Sequence, residues 1–318
     1  MGDGRNFRRQ FYTKVGLHEA EEKRALESLF KEQPLDKNKF SHFSSRSVVP
    51  SSYRILVWKL LLGITPQYAE SQDYVHRQHV LIFEDLWQVL RTLNLANSHT
   101  AEGSNGIMQD PSLYGTYERN RFVSESQNPD GEHYVLMWLI SKTQLLYNPQ
   151  QRLKTRENRG FVSIARKLSA FFDNPVDVFH MSSALWDHLL RNRKIIEDVL
   201  QDSIGMLRKE NVMLHYHLFR LGLFSSTILL DECLALFSEI IPNIAFGKIV
   251  DKVIAGCFKV LSFVVVAMLD HHSQELSTVR TVEGIRNVLS QTKKEDGDRI
   301  INSAIDQWHK IGAIKSNH

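Results

Sequence analysis

The side chains here that could do chemistry are fourteen histidines, two cysteines and scattered carboxylates. A zinc site needs three or four His, Cys or acidic ligands converging on one ion. His215 and His217 stand two apart, so their rings leave a helix on different faces. His271 and His272 are adjacent. His76 and His79 can share a helix face, yet no third ligand stands at a matching interval. Glu84 and Asp85 beside Trp87 form a carboxylate pair that could move protons. Carboxylates on the wet side of an amphipathic helix are the commoner arrangement. Phosphate chemistry would call for a Gly-rich G-x-x-x-x-G-K-[ST] loop, dinucleotide binding for G-x-G-x-x-G, and acyl transfer for a G-x-S-x-G elbow; none occurs. The expectation is no metal, no cofactor and no self-contained active site, which leaves binding.

The bulk numbers agree. A length of 318 residues suits one large domain, and 42% hydrophobic with 24% charged residues is ordinary for a globular chain. A net charge of +3 lacks the excess that a nucleic-acid binder shows, so no nucleic-acid partner is expected. Cys233 and Cys257 each lie in an apolar run, which reads as reduced and cytoplasmic. The run VLSFVVVAML at 260–269 is far shorter than a spanning helix, so no direct membrane insertion is expected. No apolar leader follows Met1, and Asn6 occupies the place where the Gly2 lipidation pattern wants Ser or Thr.

The elements that would position any site read as helices nearly throughout. Apolar periodicity marks 19–31, 79–93, 134–147, 161–172, 176–191, 193–221 as one or two helices, 229–240, 246–270, 278–290 and 298–311. Pro50 with Ser51-Ser52 opens a helix that stops at Gly63, with Pro66 beyond. Residues 96–133, rich in Ser, Asn, Gly and Pro, read as a long polar loop. The fold class is all-α: a single domain over 1–318 of about a dozen helices, its core at about 45–275, with 276–318 supplying C-terminal helices and a short tail.

The stretch 51–64, SSYRILVWKLLLGI, sets Arg54 and Trp58 on one helix face and ends in Leu61-Leu62-Gly63. This R-x-x-x-W-x-x-L-L-G pattern resembles the first signature of the TBC domain, the all-helical fold of Rab GTPase-activating proteins. RNFRRQFYTKVG, EEKRALESLFK and the closing SAIDQWHK make the wider context similar to one branch of that family, the branch associated with the tuberous sclerosis complex. The similarity is strong at 5–75 and 248–310, and weak across 96–135.

The resemblance carries an expectation about catalysis. Active members supply an arginine from I-x-x-D-x-x-R and a glutamine from a G-Y-x-Q stretch to the bound GTPase. The arginine alone is worth roughly 10³–10⁵ in rate. Here the first motif matches Ile82 and Asp85, and the arginine place holds Gln88. The second aligns with Gly160-Phe161-Val162-Ser163, so the glutamine place holds Ser163. A neutral amide cannot do the electrostatic work of a guanidinium. The implied protein is therefore no enzyme: Arg54, Trp58, Leu62, Gly63 and Asp85 serve as fold signature, with Arg54 pairing with a carboxylate or capping carbonyls.

Two helices carry more apolar surface than one core face needs: 79–93, with Ile82, Phe83, Leu86, Val89, Leu90 and Leu93, and 134–146, with Leu136 and Leu139. Two readings stay open, burial on both sides or a groove for a partner helix. The resemblance implies such a partner, the coiled-coil region of hamartin. It implies tuberin indirectly, GTP hydrolysis on Rheb, restraint of TOR signalling, and a place on lysosomal or vesicle surfaces reached through partners. The alternatives are an active Rab GTPase-activating protein using atypical residues such as Arg91 or Gln88, or an effector that binds a Rab without hydrolysis.

Overall fold

The computed structural model describes residues 17–93, 95–96, 129–144 and 149–315. Sixteen α-helices and no strand occur among them. In chain order they are α1 (Leu17–Lys31), α2 (Lys37–Arg46), α3 (Ser51–Leu61), α4 (Ala69–Thr92), α5 (Gly131–Ser141), α6 (Pro149–Leu153), α7 (Arg156–Leu168) and α8 (Pro175–Arg191). Then follow α9 (Arg193–Glu210), α10 (Val212–Arg220), α11 (Ile228–Leu234), α12 (Asn243–Ile254), α13 (Val260–His271), α14 (Ser273–Thr278), α15 (Val282–Ser290) and α16 (Lys294–Lys315).

Local chemistry sets the boundaries. Asp36 caps α2 by accepting from the Asn38 and Lys39 amides, and Asn174 caps α8 with Pro175 at its first position. Gly63 ends α3 in the left-handed region at φ +79°, where a side chain would be strained. Gly256 does the same at φ +83°, so the single helix expected over 246–270 is two, α12 and α13, joined by a turn. The element expected over 229–240 is helical only to Leu234, because Leu236 and Phe237 take positive φ. The helix expected from 79 starts ten residues earlier. In the loop expected over 96–133, residues 97–128 lie outside the described residues, and Gly131 already opens α5 under an Asp130 cap.

Burial follows two clusters. Leu26, Leu35, Phe40, Val49, Val57 and Leu60 knit α1, α2 and α3 into a small one. The large one centres on α13, whose Val260–Val266 run is wholly buried between α9 and α16. It extends past the core expected at 45–275, because Ile285 and Leu289 belong to it and Ile300, Ile301, Ala304 and Ile305 lie on α16, which packs on α13. No helix of the described residues is long and apolar enough to cross a membrane.

Candidate functional site

Helix α3 joins the two clusters, since Val57 and Leu60 point into the small one and Trp58 into the large one. Arg54 lies one turn before Trp58, and both reach Asp251 of α12. The Arg54 Nε donates to Asp251 Oδ1 and Oδ2 at 3.2 and 3.1 Å, and the Trp58 Nε1 donates to Oδ1 at 2.7 Å. Arg54 Nη2 lies 3.1 Å from Oδ2 and donates to the Val49 carbonyl at 3.0 Å. All three residues are buried. Burial pushes the Asp251 carboxyl up to about 6, and Arg54 and Trp58 oppose that rise. The next residue, Lys252, donates to the Ser44 and Ser47 carbonyls at 2.8 and 2.7 Å. Gly247 leaves room for this arrangement: a Cβ there would sit 3.0 Å from Arg54 Nη1. This cluster clamps α3 to α12 and is almost wholly buried. Leu62 and Gly63 finish the same element by returning their amides to the Trp58 and Leu60 carbonyls. Asp251 was invisible as a partner in the sequence, being 197 residues from Arg54.

Gln88 and Ser163 stand on different helices, α4 and α7, the first exposed and the second buried. Gln88 sits on α4 two residues before the fully buried Leu90, about 200° around the helix, and is exposed. Arg91, the nearest guanidinium on that helix, lies over the Trp87 ring at 5.6 Å, and Trp87 meets the buried His133 edge-on at 5.3 Å. Helix α5 packs against both α4 and α7. Ser163 is buried on α7, and its hydroxyl donates to Glu239 Oε1 at 2.5 Å.

Ser163 also lines a cleft of about 190 Å³ between α7, α11 and α15, which sequence reading missed. Arg156, Arg159 and Arg286 line it, faced by Asp231, Glu232 and Glu239. Arg156 donates to the Thr227 hydroxyl, and the Arg156 and Arg286 guanidiniums each stand 4.0 Å from Asp231. Burial lifts the Glu232 carboxyl to about 7, Glu239 adds to the rise, and Arg286 and Arg159 oppose it. Opposite charges line the cleft together, so it has no strong preference for an anion.

The surface expected to meet a partner divides. Leu136 and Leu139 are each 1% exposed, so α5 is buried on all sides and neither residue can be touched from outside. The excess of apolar residues on that helix is met by α4 on one side and α7 on the other. Phe83 and Leu90 are core as well, Phe83 meeting Phe179 at 6.0 Å. Leu86 is half-buried, and Asp85 is exposed on the same helix. What remains outside is Ile82, Val89 and Leu93, at 46, 39 and 48% exposure. Their spacing of seven and four puts them in one stripe along α4.

Metal chemistry finds little here: no three His, Cys, Asp or Glu side chains are grouped to hold an ion among the described residues. His79 and His180 stack at 4.1 Å, and His180 Nε2 bonds the His79 carbonyl at 2.9 Å, which docks α4 on α8.

Comparisons with known proteins fit this architecture. No family model matches the chain. Among solved structures it is similar to the Ypt/Rab-GAP domain of Gyp1p, with a TM-score of 0.57 at 14% identity over 92% of this chain and 99% of that one. It is also similar to the Chlamydomonas flagellar RabGAP TBC domain, with a TM-score of 0.54 at 15% identity over 96% and 94%. Both support the all-helical TBC fold. In sequence it is 32% identical to TBC1 domain family member 7 of Danio rerio over 96% of this chain and 95% of the relative. The same protein of Homo sapiens is 28% identical over the same shares. With near end-to-end matches in sequence and a TBC domain in structure, the chain belongs to the TBC1 domain family member 7 group.

Proposed function

We propose that the chain is a non-catalytic TBC-domain adaptor. It binds the coiled-coil region of hamartin and stabilises a hamartin–tuberin assembly that promotes GTP hydrolysis on Rheb and restrains TOR signalling. Its place on lysosomal or vesicle surfaces is reached through those partners. One observation carries the reading. A neutral amide, Gln88, faces solvent where the family motif has arginine, and the nearest guanidinium on that helix is laid back on Trp87. Charge building on a transferring phosphoryl group needs a cation aimed at it, and uncharged Gln88 supplies none. Ser163 adds to this, because its hydroxyl is committed to Glu239.

The outward stripe of Ile82, Val89 and Leu93 supports the binding half of the proposal. Three exposed aliphatic side chains on one line suit the apolar seam of a partner helix. The test is co-purification with a hamartin coiled-coil fragment. The wild-type chain is expected to hold it, and V89E/L93E to lose it by at least tenfold while remaining folded. Equal capture by both would move the interface off this stripe, and no capture by the wild type would remove the adaptor reading.

A second reading, an active Rab GTPase-activating protein, has one observation in its favour. Arg159 is exposed, stands one turn before Ser163 and lines the same cleft. Hydrolysis assays separate the two.

A further inference from the structure

Helix α10 wears its apolar residues on the outside. Val212, Met213, Tyr216 and Phe219 are 62, 80, 58 and 62% exposed, whereas Leu214 and Leu218 anchor the helix inward. An amphipathic helix of a globular domain would put polar residues at those outer places. The element is firmly held. Asn211 accepts from the Leu214 amide at 3.1 Å, His217 Nε2 bonds the Val279 carbonyl at 3.0 Å, and His215 stacks on Phe224 at 5.2 Å. The outward side chains fan over about 120° of arc, which makes a convex apolar ridge rather than a groove.

The charges that flank this ridge along the chain are mostly basic, three cations to one carboxylate over 208–220. Arg208 and Lys209 are exposed at the end of α9, and Arg220 closes α10 with its guanidinium 6.0 Å from the Tyr216 ring. Glu210, exposed as well, is the single carboxylate of the 208–220 stretch; it lines a cleft with Asp270, His271 and Arg299, and Glu275 is held by His272 at 2.7 Å. The outward stripe of α4, by contrast, is accompanied by exposed Glu84 and Asp85.

We propose that this ridge rests on an anionic membrane surface, with Met213, Tyr216 and Phe219 in the boundary between headgroups and acyl chains and Arg208, Lys209 and Arg220 against lipid phosphates. A fluid surface accepts side chains that fan apart, and exposed aromatic and aliphatic groups with an excess of cations at their flanks are the combination that holds interfacial helices. Cations near an anionic leaflet add to that hold and are screened by salt. The contact is peripheral and needs no spanning element. It adds a direct contact to the place reached through partners, and it does not rest on the hamartin interface, which lies on a different helix.

The experiment is flotation of the full chain with vesicles of phosphatidylcholine alone or with about 30% phosphatidylserine. Binding is expected to the anionic vesicles, to fall at least about fivefold in M213S/F219S or R208E/K209E, and to fall with added salt. Circular dichroism checks that the variants fold. A Phe219→Trp chain gives an independent reading: measured as the difference from the wild type, which carries five tryptophans, its added fluorescence shifts to the blue only if position 219 enters the bilayer. No binding by the wild type, full binding by M213S/F219S, or no shift at 219 would each overturn the proposal. So would self-association of the wild type, without vesicles, that M213S/F219S abolishes, since the ridge would then be a contact between copies.

Discussion

Replacing Arg54 by methionine tests whether the first family signature is structural. The substitution keeps most of the side-chain volume and removes the guanidinium contacts to Asp251 at 3.1–3.2 Å and the bond to the Val49 carbonyl at 3.0 Å. Asp251 keeps the Trp58 bond at 2.7 Å but loses its paired cation inside the protein. Breaking a buried pair from one side costs about 3–5 kcal/mol, mostly from the charge left behind. That carboxylate has an escape by taking a proton, and burial already holds it up at about 6. Without Arg54 it rises further. A carboxyl raised in the folded state stabilises below its unfolded value, and that stability is lost as pH rises through the folded value. The penalty of R54M is therefore larger at pH 8 than at pH 5. The double variant R54M/D251N, which leaves no unpaired carboxylate beside Trp58, should cost less than R54M alone at pH 8. Denaturant midpoints of the wild type, both single variants and the double variant at the two pH values measure this. A cost below about 1 kcal/mol for R54M at pH 8, or additive single costs, would refute the reasoning.

Leu136→Ala should destabilise the protein by about 2–5 kcal/mol without weakening hamartin capture by the folded fraction, because its side chain is core; thermal melts and pull-downs together check it. Glu232→Gln should stabilise by on the order of 1–3 kcal/mol at pH 8, with the gain shrinking toward pH 5. Its carboxyl, ordinarily near 4.5, is held up to about 7, so the wild type loses stability as pH rises through that value while the amide does not. A gain that stays constant with pH would count against it.

The fold was legible where local signals are strong. Pro50, Ser51-Ser52 and Gly63 bracketed α3 well, since a breaker and a left-handed glycine act on the backbone directly. Helix α2, KNKFSHFSSR, stayed hidden because Phe40 and Phe43 are too few to show a period. The first ten residues of α4, AESQDYVHRQ, were missed for the same reason. The join between α12 and α13 at Gly256 was masked by apolar residues on both sides. Of the site, the residue types at 88 and 163 could be read, but not their surroundings. Burial on all sides and a partner groove leave the same apolar excess in sequence, so Leu136 and Leu139 could not be sorted from Val89 and Leu93 without the packing of α4 and α7 on α5. Asp251 and Glu239 are joined to Arg54 and Ser163 only through tertiary structure.

The adaptor reading stands or falls on turnover. The purified chain is mixed with a panel of GTP-loaded Rab proteins, and phosphate release is followed against each Rab alone. The account predicts rates unchanged from the intrinsic ones, for the wild type and for R159A alike. Acceleration of any Rab by a factor of about 10³ or more, abolished by R159A or R91A, would put a working guanidinium on this scaffold and contradict it.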